Sequence, residues 1–252
     1  MKDTYVLARC NLYAVLGAIP HLIDLDPEAA ALVKGKSLKV GFSVKNGPKA
    51  TLILRDGKAA MVKGTEGCSI KLWFPSVDKF NDLIDGKGTP IPVSGFQHIG
   101  FLLKTFTKLT DILSSYLRPT PEQLLDPVFF KRSTTLMLYV IGRAIVQIGN
   151  HDKVGQFSAS NIVDGKIKLG IGNDLAVAIH CKNNHLMFNA TPDPSGISSQ
   201  MVFDSMKTAR DLFDGKINAI AAVGMGQVRI SGMVSQVDNI NRILDRVAIY
   251  LA

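Results

Sequence analysis

His180, Cys181 and His185 form the one local cluster of metal-ligating side chains in the sequence, and zinc is the ion they would suit. Strand geometry argues against it. If Asn183-Asn184 makes a two-residue hairpin turn, His180 and Cys181 point to opposite faces of a sheet and His185 sits beside Lys182. No fourth ligand stands nearby. His151-Asp152 has the residue types of an acid/base pair, but adjacent side chains diverge, and Asn150-His151-Asp152 reads more simply as a helix end. Gly224-Met225-Gly226 lacks the third spaced glycine and the following helix of a dinucleotide loop, and the full phosphate-loop motif is absent too. Cys10, Cys68 and Cys181 are odd in number and widely spaced, which gives neither a disulfide framework nor a zinc motif. These residues describe a chain that is not an enzyme and uses no metal or other cofactor.

Composition narrows the classes further. Of 252 residues, 46% are hydrophobic and 20% charged, with 22 Gly and 11 Pro spread along the chain, as in a packed globular protein. The most apolar early stretch, Tyr5 to Ile19, is broken by Arg9 and Asn11, so no membrane span is expected. Asp3 stands where a secretory signal would be basic, and the expected location is cytoplasmic. The net charge of +8 divides evenly, with 16 basic and 12 acidic groups in residues 1–126 and 13 and 9 in residues 127–252. Without a dense basic patch, nucleic acid is not an expected partner, whereas a transient acidic membrane surface suits so diffuse an excess. Asp238, Arg242, Asp245 and Arg246 have helical spacings that pair opposite charges on a solvated face.

The elements that must position any site come twice. Phe74 to Lys87 recurs as Phe203 to Lys216 at a constant offset of 129, with seven of fourteen positions identical. The same offset pairs Ile91 with Ile220 and Gly95 with Gly224, and both halves finish in Tyr-Leu, at Tyr116-Leu117 and Tyr250-Leu251. Arg118-Pro119-Thr120-Pro121 interrupts the helix between them, so a first copy spans 1–118 and a linker with the second copy spans 119–252. In the first copy, the alternation Leu38, Val40, Phe42, Val44 predicts a strand. Ala50–Arg55 and Lys58–Lys63 follow as a hairpin about Asp56-Gly57, with a fourth strand at Cys68–Phe74 and a short fifth near Phe96–Phe101. Ser76 caps a short helix ended by Gly86, and Leu102, Phe106, Leu109, Leu113 and Tyr116 mark one face of a closing helix. The second copy repeats the plan, with strands at Lys166–Ile171, Leu175–Lys182, His185–Asn189, Ser198–Phe203 and around Gln227–Ile230, a capped helix to Phe213 and a closing helix to Leu251. Each copy opens with a mostly apolar helix, Tyr5–Ile19 and Thr134–Ile148. The expected fold is α+β, an antiparallel sheet covered on one face by helices, made twice by internal duplication.

The stretches VGFSVKNGPKATLILRDGKA at 40–59, FNDLIDGKGTPIPVSG at 80–95 and DLFDGKINAIAAVGMGQVRISGM at 211–233 resemble the sterol-carrier-protein type 2 family, in the tandem arrangement of bacterial proteins. The resemblance implies non-enzymatic binding and transport of a fatty acid, acyl-CoA, sterol or isoprenoid, or phospholipid in a hydrophobic tunnel between sheet and helices. It carries over an apolar wall and no named polar anchor. In the first copy that wall would be Phe42, Leu52, Leu54, Leu72, Phe74, Phe80, Leu83, Phe96, Phe101 and Phe106. In the second it would be Ile179, Phe188, Met201, Phe203, Leu212, Met225, Ile230, Met233, Ile243 and Val247. Ordinary core packing is the competing role for each. The alternative functions are a protein-interaction module whose tunnel is filled by side chains, or an accessory subunit of a lipid-modifying enzyme. The ligand, the recipient and the oligomeric state stay open at this level.

Overall fold

Alternating apolar residues place Val40, Phe42 and Val44 on the buried side of β1 (Ser37–Val44). This strand is central to the first of two five-stranded sheets in the computed structural model, which describes residues 2–88, 90–193 and 195–251. β2 (Lys49–Arg55) and β3 (Lys58–Lys63) follow as antiparallel neighbours, joined by Asp56-Gly57 with φ of 48° and 80°, as a primed two-residue turn requires. β4 (Ile70–Phe74) pairs parallel with β1, and β5 (Ile91–Ser94) closes the order β3-β2-β1-β4-β5. The sheet is therefore antiparallel except for one parallel pair. That pair exists because residues 64–69 cross one face of the sheet, where Thr51 Oγ1 donates to the Gly64 carbonyl at 2.7 Å.

The helices of this unit are α1 (Thr4–Leu25), α2 (Pro27–Val33), α3 (Val77–Ile84) and α4 (Thr107–Leu117). Among the described residues α1 is long and apolar enough to cross a membrane, with a best-window mean hydropathy of 1.4, and 67% of that window is buried inside the protein. Ser76 caps α3 by accepting from the Lys79 amide at 3.2 Å. The fifth strand falls at Ile91–Ser94 and not near Phe96–Phe101, because Gly95 turns the chain at φ 82° and Phe96–His98 and Phe101–Phe106 are helical turns.

The chain divides into compact units Met1–Leu136 and Met137–Ala252. Residues 119–136, grouped with the second copy on sequence, count with the first. The start of α5 (Pro127–His151) explains this, since Ser133 Oγ donates to the Tyr116 carbonyl at 2.6 Å and Phe129 stacks on Tyr116 at 4.6 Å.

The second unit continues with α6 (Lys153–Ser160), β6 (Gly165–Ile171), β7 (Leu175–Lys182), β8 (His185–Asn189), β9 (Ile197–Phe203), α7 (Met206–Phe213), α8 (Ala219–Gly224), β10 (Val228–Gly232) and α9 (Val234–Leu251). Its order β10-β9-β6-β7-β8 is that of the first sheet, with β6 and β9 as the parallel pair. Asn183-Asn184, at φ 51° and 60°, makes the β7–β8 turn. Ser205 caps α7 as Ser76 caps α3.

The register of the repeat changes after α7. β10 falls where the sequence places a strand, around Gln227–Ile230, and occupies the place of β5, so Gly95 corresponds to Gly232 and the offset grows from 129 to 232 − 95 = 137. Pairing Gly95 with Gly224 fails because eight extra residues precede β10, and they contain α8. Gly95 and Gly232 share φ of 82° and 86°, and a Cβ on either would lie 2.2 Å from a backbone carbonyl oxygen, of Ser69 or Ser198. Gly232→Ala should therefore lower unfolding free energy by about 1–3 kcal/mol, which urea denaturation would measure; no loss would mean that the turn relaxes freely.

The repeated Tyr-Leu endings also have a structural cause. Tyr116 Oη donates to Asp26 Oδ2 and Tyr250 Oη to Asp152 Oδ2, both at 2.7 Å. Each aspartate caps a short helix, accepting from Ala29 N at 2.8 Å or Gly155 N at 2.9 Å.

Candidate functional site

An apolar cavity of about 250 Å³ opens in the second unit. Its floor is the edge of the sheet. Met201 and Phe203 are two residues apart on β9, and their register partners on β10 are Ile230 and Val228, so all four share one face. Leu212 comes from α7, and Ala219 and Val223 come from successive turns of α8, the helix that the insertion adds. The opposite wall is α9, where Val234, Val237, Asp238 and Asn241 follow helical spacing along one stripe. Phe203, Val228 and Val237 are buried, while Val223 and Val234 are 40% and 70% exposed, so the cavity runs from a dry end to an open apolar mouth.

α9 is held beside this space by Gln236, which is fully buried. Its Oε1 accepts from Ser199 Oγ at 2.7 Å and its Nε2 donates to the Val163 carbonyl at 2.8 Å. Asp238 is paired at 3.0 Å with Arg242, as the spacing suggested, but Arg246 leaves that exposed set and forms an ion pair with Asp152 at 2.7 Å.

Of the second-copy candidates, Met201, Phe203, Leu212 and Ile230 meet around the cavity. Ile179, Ile243 and Val247 are buried in the core, and Met225 and Met233 are 65% and 47% exposed and outside the lining. Phe188 lies in a second hollow of about 210 Å³ with Lys166, His180 and Met187, and Arg143 stands 4.7 Å from its ring centre. His180 and Cys181 do face opposite ways. Cys181 is buried, its Sγ 3.4 Å from the Ile162 carbonyl, and burial pushes its thiol pKa upward.

In the first unit, Phe42, Leu52, Leu54, Leu72, Phe74 and Phe80 are buried, whereas Leu83, Phe101 and Phe106 are half-buried. Phe96 is 61% exposed. Phe74 meets Phe80 edge-on at 5.0 Å, and Phe42 lies 6.0 Å from Phe106. The second copy is smaller at matching places: Phe80 becomes Ala209, and Phe42, the register partner of Leu72, becomes Leu169, the partner of Met201. Phe213 recovers part of that volume by packing edge-on against Phe203 at 5.6 Å. Sequence reasoning missed Ala219, Val223, Val228, Val234, Val237, Asp238 and Asn241; the one available signal was the stripe on α9.

A scan against protein-family models finds no match, and neither does a search of curated proteins. Among solved structures, the chain is similar to the apo form of Sterol Carrier Protein 2 from Yarrowia lipolytica, at 17% identity and a TM-score of 0.31, over 40% of this chain and 92% of that one. It is also similar to the stereoselective inverting sec-alkylsulfatase Pisa1 from Pseudomonas sp., at 12% identity and a TM-score of 0.24, over 57% of this chain but only 28% of that one. The class is set by the chain's own elements: an α+β protein of two repeated five-stranded sheet units. In the second of them an apolar cavity opens beside the sheet edge.

Proposed function

We propose that the chain binds and carries a hydrophobic small molecule in the cavity of its second unit, without chemical turnover, in the cytoplasm. One observation carries the reading: nine of the eleven lining residues are apolar, and their exposure increases toward an open mouth. Among the described residues the lining contains no hydroxyl, thiol or imidazole, which favours binding over catalysis. The resemblance of residues 40–59 and 80–95 to sterol-carrier domains supports a lipid-like ligand. Exposed Val223 and Val234 at the rim support transfer at a membrane surface. An engineered 150 Å³ apolar cavity accepts benzene, so a space of about 250 Å³ accommodates on the order of ten carbon atoms. A longer chain must leave its remainder at the mouth.

The aromatic packing of the first unit favours a second reading for that copy, a filled tunnel that serves interaction or scaffolding. One ligand per chain is the expected stoichiometry. Native mass spectrometry of the purified protein, with organic extraction of whatever accompanies it, should show a single lipid-like adduct lost in Val228→Phe, which fills the cavity floor, and retained in Phe74→Ala. A bare mass that also stays bare after addition of alkanols, fatty acids, acyl-CoA, sterols and phospholipids would end the carriage reading.

A further inference from the structure

We infer that the cavity of the second unit selects an amphiphile with a neutral hydroxyl head over one with a carboxylate or phosphate head. This inference rests on the carriage reading, since it concerns the ligand of that same cavity. The polar lining consists of Asp238 and Asn241, three residues apart on α9. Asp238 Oδ2 accepts from Arg242 Nε at 3.0 Å, while its Oδ1 accepts no hydrogen bond among the described residues. Asn241 is half-buried, and its side-chain amide makes no hydrogen bond among the described residues.

The cavity thus offers one anionic acceptor atom and one uncommitted carboxamide, beside otherwise apolar walls. A hydroxyl matches both, because it donates to a carboxylate or carbonyl oxygen and accepts from an amide N–H. An ionised carboxylate or phosphate only accepts. It gains from the Asn241 amide at most, and is repelled by the solvent-screened Asp238 charge at the mouth. Asp238 is 55% exposed and Arg242 63% exposed, so the carboxylate stands at the mouth, and Arg242, committed to Asp238 Oδ2 and outside the lining, leaves Oδ1 to face the head group.

The test is calorimetric titration of the full chain with 1-decanol, sodium decanoate and n-decane, at a pH where decanoate is ionised. Wild type should bind decanol at least about tenfold more tightly than decanoate. Since an ionised head resists burial in any apolar site, variants separate the specific effect. Asp238→Asn should strengthen decanoate at least about fivefold while decanol changes less than about threefold. Asn241→Leu should weaken decanol by about three- to tenfold and leave decane unchanged. Equal binding of decanol and decanoate by wild type, or a ratio unmoved by Asp238→Asn, overturns the selectivity but leaves carriage standing. Failure of all three probes to bind overturns carriage, and the selectivity with it.

Discussion

Asp152→Ala is expected to lower the unfolding free energy of the second unit by about 3–5 kcal/mol, because it removes one partner of a buried ion pair and leaves the other without its counter-charge. The Asp152 carboxylate is buried and has three kinds of partner. Gly155 N donates to it at 2.9 Å as a helix cap, Tyr250 Oη donates at 2.7 Å, and Arg246 donates from Nη2 at 2.7 Å with its Nε equally close. Burial pushes the Asp152 carboxyl pKa up, but the donors from Arg246, Tyr250 and Gly155 outweigh it, and the pKa lies below the usual carboxylate range. A depressed folded pKa means that the pair's contribution is complete above the ordinary carboxylate pKa and is lost as pH falls from there through the folded value. Asn keeps the cap and loses the charge. Asp152→Asn should therefore flatten the acid limb of stability against pH, while Tyr250→Phe should cost only about 1 kcal/mol. Hydrogen exchange of α6 and α9 in the full chain measures the second unit directly, with Trp73 fluorescence reporting on the first. An Asp152→Ala protein as protected as wild type would mean that Arg246 finds a new partner or water at little cost.

The same cluster shows where sequence stops being legible. Asp152 and Tyr250 are each visible as a helix boundary and a repeated terminal residue, but 98 positions separate them, and no local spacing links an N-cap to a hydroxyl at that distance. Local patterns fared better. Alternation located β1, β2, β3, β6, β7 and β8, and Asp56-Gly57 and Asn183-Asn184 adopt the positive φ that their residue types favour. The parallel pairing at the centre of each sheet was not legible, because an alternating strand looks alike beside either kind of neighbour. The insertion was legible only in part: the strand expected around Gln227–Ile230 is β10, but Ile220 and Gly224 fit the repeat's spacing by chance and hid the helix α8 before it. At the site, apolar type could not separate cavity from core. Met201 and Ile179 are both buried apolar strand residues, and only Met201 lies on the β9–β10 face that α8 and α9 leave uncovered.

The finite volume of the cavity yields the other large effect, a binding slope with a sharp end. Straight-chain alkanols should bind about fourfold more tightly per added methylene, since each buried CH₂ contributes about 0.8 kcal/mol, which amounts to about two-hundredfold between 1-hexanol and 1-decanol. Near ten carbons the slope should flatten, because a cavity of about 250 Å³ is then full on the order-of-magnitude scale set by benzene-sized cavities. Further methylenes reach only the half-open rim around Val223 and Val234, where little water is displaced. Val228→Phe puts an aromatic ring at the buried floor, on a strand that favours aromatic residues. It should move the break to shorter chains and weaken 1-decanol at least about tenfold, with hexanol much less affected. A slope that continued unbroken to sixteen carbons would show that the ligand channel extends beyond these eleven residues, and a flat response from six carbons upward would remove the cavity as the binding site. The break point thus measures, in methylenes, the space that the β9–β10 floor, α8 and α9 enclose.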